Sequence, residues 1–475
     1  MTSARARIQK FSQERLMLIL SVYILCQPLL DILTAFGARA QHPITVGVVV
    51  RALFMALGFL YAVFICDFKG KRLPMIYTGV LVGYLVLFML HMLILGGVSL
   101  CFANLTDVVK TFFTPFVAVF LYCVYRQYGF AFTTRAIGGA GALYASVILV
   151  AYLTGTSFRS YGNSGYGYNG WFYAANEIGC IIALSAPFTV YHCVKLLPTL
   201  TKKTWWKGLV IVWCLAAVVF SANFIGTKIV FYFNLLYALA ALVWMLIHLY
   251  RERSGAVLLQ VAALLVVAVA IMGIYRISAL RQHQIDVVDP IADLTSEEVS
   301  GIWVSEIATD SEGTWLRQAI ADVPTLQWID AKLSRRLFTA APSVQVYIEG
   351  GVLTKLLGVG YANTKAYNWD PTYMVEMDPL AVLIRHGAAG FVVYCLPYFA
   401  FILYAVVEFF KHPLRRLSSL SYCTLLYCTL AGCAIASIAG HALVSPAVST
   451  FVLAVGMQFW IRTREQNRQI EGEQA

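Results

Sequence analysis

The sequence predicts an all-α polytopic membrane protein of about twelve transmembrane helices, with both termini cytoplasmic. Three observations predict it. Of 475 residues 60% are hydrophobic and only 12% charged, against roughly 45–50% and about 25% in soluble domains, and the mean hydropathy of +0.73 excludes a water-soluble globule. Apolar windows long enough to cross a bilayer occur at about 16–36, 44–66, 75–97, 103–125, 136–154, 171–194, 208–223, 224–249, 255–275, 379–409, 418–440 and 445–461. Loop charge alternates with them: the segments assigned to the cytoplasm carry 21 Lys and Arg residues, whereas the short external loops carry only Arg39 and Arg159. That asymmetry orients the chain and accounts for the net charge of +11 without nucleic acid.

Taken in order, the basic stretch MTSARARIQKFSQER leads into an apolar segment that is long and lacks a small-residue cleavage site, so it reads as a retained first helix. The seventh and eighth windows are separated only by SANFIGTK (221–228). Residues 276–378 break the rhythm of short loops and read as one large external segment between helices 9 and 10, dividing the chain into 1–275, 276–378 and 379–475. This segment holds 14 acidic and 8 basic residues, a net −6 that leaves +17 elsewhere. Thr295 followed by Glu298 predicts a capping box. Trp303, Trp315, Leu316, Ile320, Trp328, Ile329, Leu333 and Leu337 supply apolar faces for short helices on the outer membrane surface. Ten of the eleven cysteines fall in apolar runs and no CxxC pair occurs, so they read as small buried hydrophobes, with neither a disulfide framework nor a metal site.

Ionisable groups inside spans are costly and mark function by default. Asp31, Arg51, Asp107, Lys110, Glu177, Lys228, Arg385 and His386 all lie in apolar windows, each in the outer half of its helix, while the cytoplasmic half holds only His192, His248 and Glu408. This one-sidedness predicts a polar cavity open to the outside. Arg51, Lys110, Lys228, Arg385 and Arg159 suit an anionic headgroup such as a lipid-linked diphosphate, because guanidinium groups clamp phosphate oxygens bidentately and Lys adds a point charge. The competing reading is structural pairing or snorkelling, with Asp107 and Lys110 a self-contained i, i+3 pair and Asp31 a helix-packing residue.

Three stretches together resemble the O-antigen ligase and polysaccharide polymerase superfamily of bacterial membrane glycosyltransferases: YGYNGWFYAANEIGCIIALSAPF (166–188), SANFIGTKIVF (221–231), and SRRLFTAAPSVQVYIEGGVLTKLLGVGYANT (334–364) followed by EMDPLAVLIRHGAAG (376–390). The last contains a Ser-x-Arg element, a Leu-x-Gly-x-Gly turn and two glycines three apart, Gly387 and Gly390. The resemblance implies a bacterial cytoplasmic-membrane enzyme whose active site faces outward. Such an enzyme moves an oligosaccharide or polysaccharide from undecaprenyl diphosphate to an acceptor hydroxyl on a glycan or lipid, among membrane lipids and without cofactor or metal. Where many members have His-Asn this chain has Glu376 and Met377. That departure leans towards a polymerase-like member and leaves a ligase open.

On that resemblance Arg336, with Lys228, Arg51 and Arg159, is expected to hold the diphosphate, and Glu376 to act as general base or to orient the acceptor, with Asp378 the alternative base. Tyr166, Tyr168, Trp171, Asn176 and Glu177 are candidates for sugar and acceptor contact. Against these stand plainer roles. Glu376 and Asp378 would cap the tenth helix, Arg335 and Arg336 would be a solvated face, Asn176 and Glu177 would bond neighbouring helices, and Trp171 would join an interfacial belt. A lipid-linked oligosaccharide flippase or other secondary transporter is the rival. It should show an internal repeat and charges in the cytoplasmic half, and neither is evident. No Walker or Rossmann glycine pattern is present.

Overall fold

The computed structural model describes residues 15–42, 45–68, 70–128, 134–160, 166–283, 285, 315–332, 336–362, 375–411 and 419–474. Thr295, Glu298, Trp303, Leu333 and Arg335 lie outside them. The first apolar window is a bent pair, α1 (Arg15–Leu25) and α2 (Gln27–Arg39), broken by 42° just before Pro28. Then come α3 (Val46–Leu60), which ends in a π-helical turn, α4 (Arg72–Tyr128), α5 (Thr134–Leu153), α6 (Ala175–Leu196), α7 (Trp205–Phe224), α8 (Lys228–Glu252) and α9 (Gly255–Ile274). Short helices α10 (Ala279–His283), α11 (Trp315–Asp322), α12 (Pro324–Lys332), α13 (Arg336–Glu349) and α14 (Val352–Leu357) precede α15 (Asp378–Lys411), α16 (Leu420–Ile438) and α17 (Pro446–Gln474). Strands β1 (Phe158–Arg159) and β2 (Tyr168–Gly170) pair antiparallel between α5 and α6. The fold is all-α. Among the described residues nine helices are long and apolar enough to cross a membrane, or ten counting the bent pair. The doubtful seventh and eighth windows resolve cleanly, α7 and α8 being separated at Ile225–Thr227 with Gly226 at φ +88°.

One helix organises the bundle. A helix apolar on all sides must be surrounded, and α6, buried continuously from Ile178 to Tyr191, is packed by α5, α7, α8, α16 and α17. Small residues set the closest approach. A Cβ on Gly141 would stand 2.8 Å from the Ser185 backbone of α6, and Thr189 Oγ1 donates to the Gly138 carbonyl at 2.7 Å.

Two glycines break helices where the chain must change course. Residues 84 and 112 would stand about 42 Å apart on a straight helix, yet Tyr84 stacks on Phe112 with ring centroids 5.8 Å apart. The chain therefore doubles back inside α4, at Gly96 and Gly97, where Gly97 takes φ +72°, ψ −165°. In α15 the break falls at Gly387 (φ +65°, ψ −177°). The carbonyls it frees are all taken up: Ile384 O accepts from Val359 N and Arg385 O from Gly360 N, both at 3.0 Å, and His386 O accepts from Tyr84 Oη at 2.8 Å. A broken helix survives in apolar surroundings only when its loosened backbone is satisfied in this way. The Leu-x-Gly-x-Gly turn at 356–360 is thus the plug for the break at Gly387.

The other described residues of the 276–378 segment form a small helical cap. Ile320 and Ala321 of α11 pack against Phe338 and Ala341 of α13, while Ala340, Val359 and Val375 pack against Ala381 and Ile384 of α15. The buried Asp330 carboxylate accepts from Leu337 N and Phe338 N at 2.7 and 3.0 Å, which caps the first turn of α13 and fixes the direction of that helix.

Gly387→Ala should be severely destabilising. Its φ/ψ lies in a region essentially reserved for glycine, worth about 1–3 kcal/mol for any other residue, and the new Cβ would overlap the Leu356 backbone. The expected outcome is a large fall in melting temperature in detergent, whereas Gly79→Ala, a helical position with nothing within 4 Å, should leave it unchanged.

Candidate functional site

Arg336 is the first residue of α13 and projects from the capped turn towards the start of α15. Its Nε donates to Glu376 Oε2 at 2.7 Å and its second nitrogen, Nη1, to the Ile438 carbonyl at 3.1 Å. The pair is partly open, with side-chain exposures of 15% and 34%. Two residues on, Asp378 is buried, and its carboxylate accepts three consecutive backbone N–H groups of the turn between α16 and α17: His441 N at 2.6 Å, Ala442 N at 2.8 Å and Leu443 N at 2.6 Å. The Leu443 carbonyl in turn accepts from Thr114 Oγ1 and Tyr394 Oη at 2.7 and 2.8 Å. The turn runs through two left-handed residues, Gly440 (φ +68°) and His441 (φ +55°). A side chain at Gly440 would collide with the Glu376 backbone, so glycine lets the two segments touch.

Glu177, in the first turn of α6, closes the other side. It lies within electrostatic reach of His441, Asp31 and Arg51, with Ser445 beside it. Cys180, one turn below, is within reach of Asp378, Glu177 and Arg336. Arg336, Glu376, His441, Asp378 and Glu177 therefore gather at one end of the bundle, drawn from α13, α15, the α16–α17 turn and α6.

The other charged candidates separate into different settings. Arg51 is buried: Nε and Nη2 donate to Gln27 Oε1 at 3.0 and 2.8 Å, Nη2 also to Asp31 Oδ1 at 2.5 Å, and Tyr144 donates to the second oxygen of Asp31. Through these bonds Arg51, proposed for the diphosphate, joins α2, α3 and α5. Asp378, the alternative base, has its carboxylate occupied by three N–H donors and lies in the first turn of α15.

Lys110 pairs with Asp107 at 3.1 Å with both side chains some 40% exposed, the local pair that their spacing allowed. Arg385 lies over the Tyr361 ring at 4.7 Å beside the break at Gly387. Burial pushes the Tyr361 hydroxyl's pKa above its ordinary value, and that hydroxyl meets His386 Nε2 at 2.7 Å and Thr111 Oγ1 at 2.6 Å. These residues brace the plugged break.

Lys228, exposed, opens α8. The preceding Thr227 abuts Gly179 of α6, so Lys228 stands at the same end as Glu177. Arg159 stacks on Tyr168 at 4.3 Å, and Trp171 Nε1 donates to Thr156 Oγ1 at 2.9 Å. Tyr166 and Asn176 are half-buried nearby. Among the described residues no group of three His, Cys, Asp or Glu side chains is placed to hold a metal. An apolar cavity of about 520 Å³ between α4, α15 and α17, lined by Tyr77, Pro397 and Trp460, belongs to the opposite end of those helices and carries none of this chemistry.

The sequence reading did not single out His441 or Tyr144. His441 sits past the end of an apolar window in AGHALVSP, and its one sequence signal is the glycine before it. Tyr144 is an aromatic in an apolar run and carries no signal at all.

A helical membrane bundle with a charged site under a helical cap is the class of protein these features define. Residues 13–465 match the family model described as O-antigen ligase like membrane protein, and the chain belongs to that family. Its role is accordingly cell-surface polysaccharide assembly from lipid-linked glycans in a bacterial inner membrane. No curated protein matches the chain as a relative.

Removing one partner of a buried ion pair costs about 3–5 kcal/mol, whereas replacing both by apolar groups is far milder. Arg51→Met should therefore leave little folded protein after purification. Arg51→Met combined with Asp31→Leu should recover much of it, as read by the monodisperse peak in size-exclusion chromatography.

Proposed function

We propose that the chain is a glycosyltransferase of polymerase type, moving an oligosaccharide from undecaprenyl diphosphate onto an acceptor hydroxyl at the outer face of the membrane. The observation that carries this reading is the Arg336–Glu376 pair at the mouth of the charged cluster, in a chain whose family assembles surface polysaccharide. Transfer from a lipid diphosphate needs little covalent help. The leaving group must have its growing charge neutralised, and the acceptor must be positioned and relieved of its proton.

Arg336 is suited to the first task. Among the described residues two of its nitrogens are engaged, Nε with a carboxylate and Nη1 with a carbonyl. Of the five guanidinium N–H donors, three remain for phosphate oxygens. Glu376 aims the guanidinium, as second groups orient catalytic ones elsewhere. Lys228 and Arg159, exposed at the same end, supply further positive charge, and Tyr168 and Trp171 offer faces on which a sugar ring can stack. The −6 charge of the 276–378 segment keeps the approach from being uniformly cationic, so anion binding concentrates at these few residues.

Loss of one preorganised charge-stabilising donor costs about 10²–10³ in rate. Arg336→Ala, reconstituted with a synthetic undecaprenyl-diphosphate oligosaccharide, should release undecaprenyl diphosphate at least 100-fold more slowly, with unchanged protein levels. Arg336→Lys should recover only part of the rate, because the planar fork is lost. Polymer of normal yield and length from Arg336→Ala, or lipid flipping without diphosphate release by the native protein, would overturn the reading.

A further inference from the structure

We propose that His441 is the general base that takes the proton from the acceptor hydroxyl. This inference rests on the reading of the Arg336 cluster as a glycosyl-transfer site.

The backbone marks this residue: with Gln41 and Arg253 it is one of three non-glycine residues at positive φ among the described residues, and of these it alone lies at the charged cluster. A helix C-terminus is satisfied by one left-handed residue, and at the end of α16 Gly440 supplies it, donating to the Ile435 carbonyl at 3.2 Å. His441 is a second left-handed residue immediately after (φ +55°), a conformation uncommon for residues other than glycine. The helix end does not need it. Such strain persists only where surrounding structure enforces it, and it gathers at active sites. Here the enforcement is visible: Asp378 grips the N–H of His441 and of the two residues after it, and the Ile438 carbonyl three residues before is held by Arg336. The turn is clamped on both sides: its backbone lies against Arg336 and Glu376, and the imidazole is within electrostatic reach of Glu177 and Asp378.

Elimination among the titratable groups that face this point gives the same answer. From the segment just before α15, Glu376 is engaged by Arg336 Nε at 2.7 Å. From α15, Asp378 is occupied by three N–H groups. From α6, Glu177 has Ser445 beside it and also feels Asp31 and Arg51, and Cys180 lies one turn below. The half-buried His441 ring makes no hydrogen bond among the described residues. Histidine is also the side chain suited to accepting a proton near neutral pH.

The step balances. The acceptor oxygen bonds to the anomeric carbon, the bond from that carbon to the diphosphate oxygen breaks with its electron pair leaving on the diphosphate, Arg336 takes up the resulting charge, and the hydroxyl proton passes to a ring nitrogen of His441. Glu177 then faces an imidazolium, which it stabilises, before the proton is lost to water.

The test uses the full chain in vesicles with a synthetic undecaprenyl-diphosphate oligosaccharide, following diphosphate release against pH. His441→Asn is the decisive variant, since asparagine tolerates the left-handed conformation but cannot take the proton. It should melt as the native protein does, release product roughly 10²–10⁴-fold more slowly, and lose the rise in rate with pH that imidazole ionisation produces. His441→Gly, which relieves the strain altogether, should be equally slow and should be partly restored by added imidazole. Limbs of the profile that belong to Glu376, Asp378 or Glu177 should remain in both variants. If both variants keep a rate within about threefold of native with an unchanged pH profile while Arg336→Ala is inactive, His441 is not the base and the transferase reading stands. If Arg336→Ala is active as well, the reading of the site itself fails.

Discussion

A single carboxylate ties the functional end of this molecule together. Asp378 is buried at the start of α15, and it accepts three consecutive N–H groups from a turn more than sixty residues later in the chain. Hydrogen bonds to a charged group contribute about 1.5–3 kcal/mol each, and leaving such donors unpaired in a dry setting costs as much again. Without Asp378 the α16–α17 turn would have no reason to hold two left-handed residues, Gly440 could not lie against Glu376, and Arg336 would lose the Ile438 carbonyl that orients it. The strongest interaction at the site thus sets geometry and leaves the chemistry to its neighbours.

The same constraint, that polar backbone in apolar surroundings must find a partner, explains the otherwise odd shape of the 350–390 region. Gly387 interrupts α15, and the three carbonyls exposed by the break are claimed by Val359, Gly360 and Tyr84. This docks the cap onto the bundle. It also fixes the distance between α13, which carries Arg336, and α15, which begins with Asp378. The glycines of the Leu-x-Gly-x-Gly turn therefore build the platform on which Arg336 sits.

Charge in the bundle meets two fates. Arg51 is enclosed by Gln27 and Asp31 and serves cohesion, whereas Arg336 is bound through two of its nitrogens and stays partly open. Desolvation decides between these roles. A fully buried cation must be neutralised within the protein, while one at the mouth of a cluster keeps donors for a ligand. Glu177 links the two settings, since it feels both the Asp31–Arg51 pair and His441.

Much of the architecture was legible in the chain alone, because the hydrophobic effect is written locally: an apolar run of about 20 residues is a helix in a bilayer whatever its neighbours are. The helical windows, the large segment before α15, the family motifs and the candidacy of Arg336 and Glu376 all follow from stretches of contiguous residues. Which charges meet was decided only by tertiary structure. Arg51 and Lys110 met the same criterion, a charge inside an apolar window, yet Lys110 took the i, i+3 partner its spacing offered, whereas Arg51's partners were set by helix rotation and crossing, which hydropathy does not encode. His441 was invisible for the same reason. Its backbone conformation depends on a carboxylate 63 residues earlier, and no local pattern in AGHALVSP announces that the imidazole would face Glu177 and Asp378.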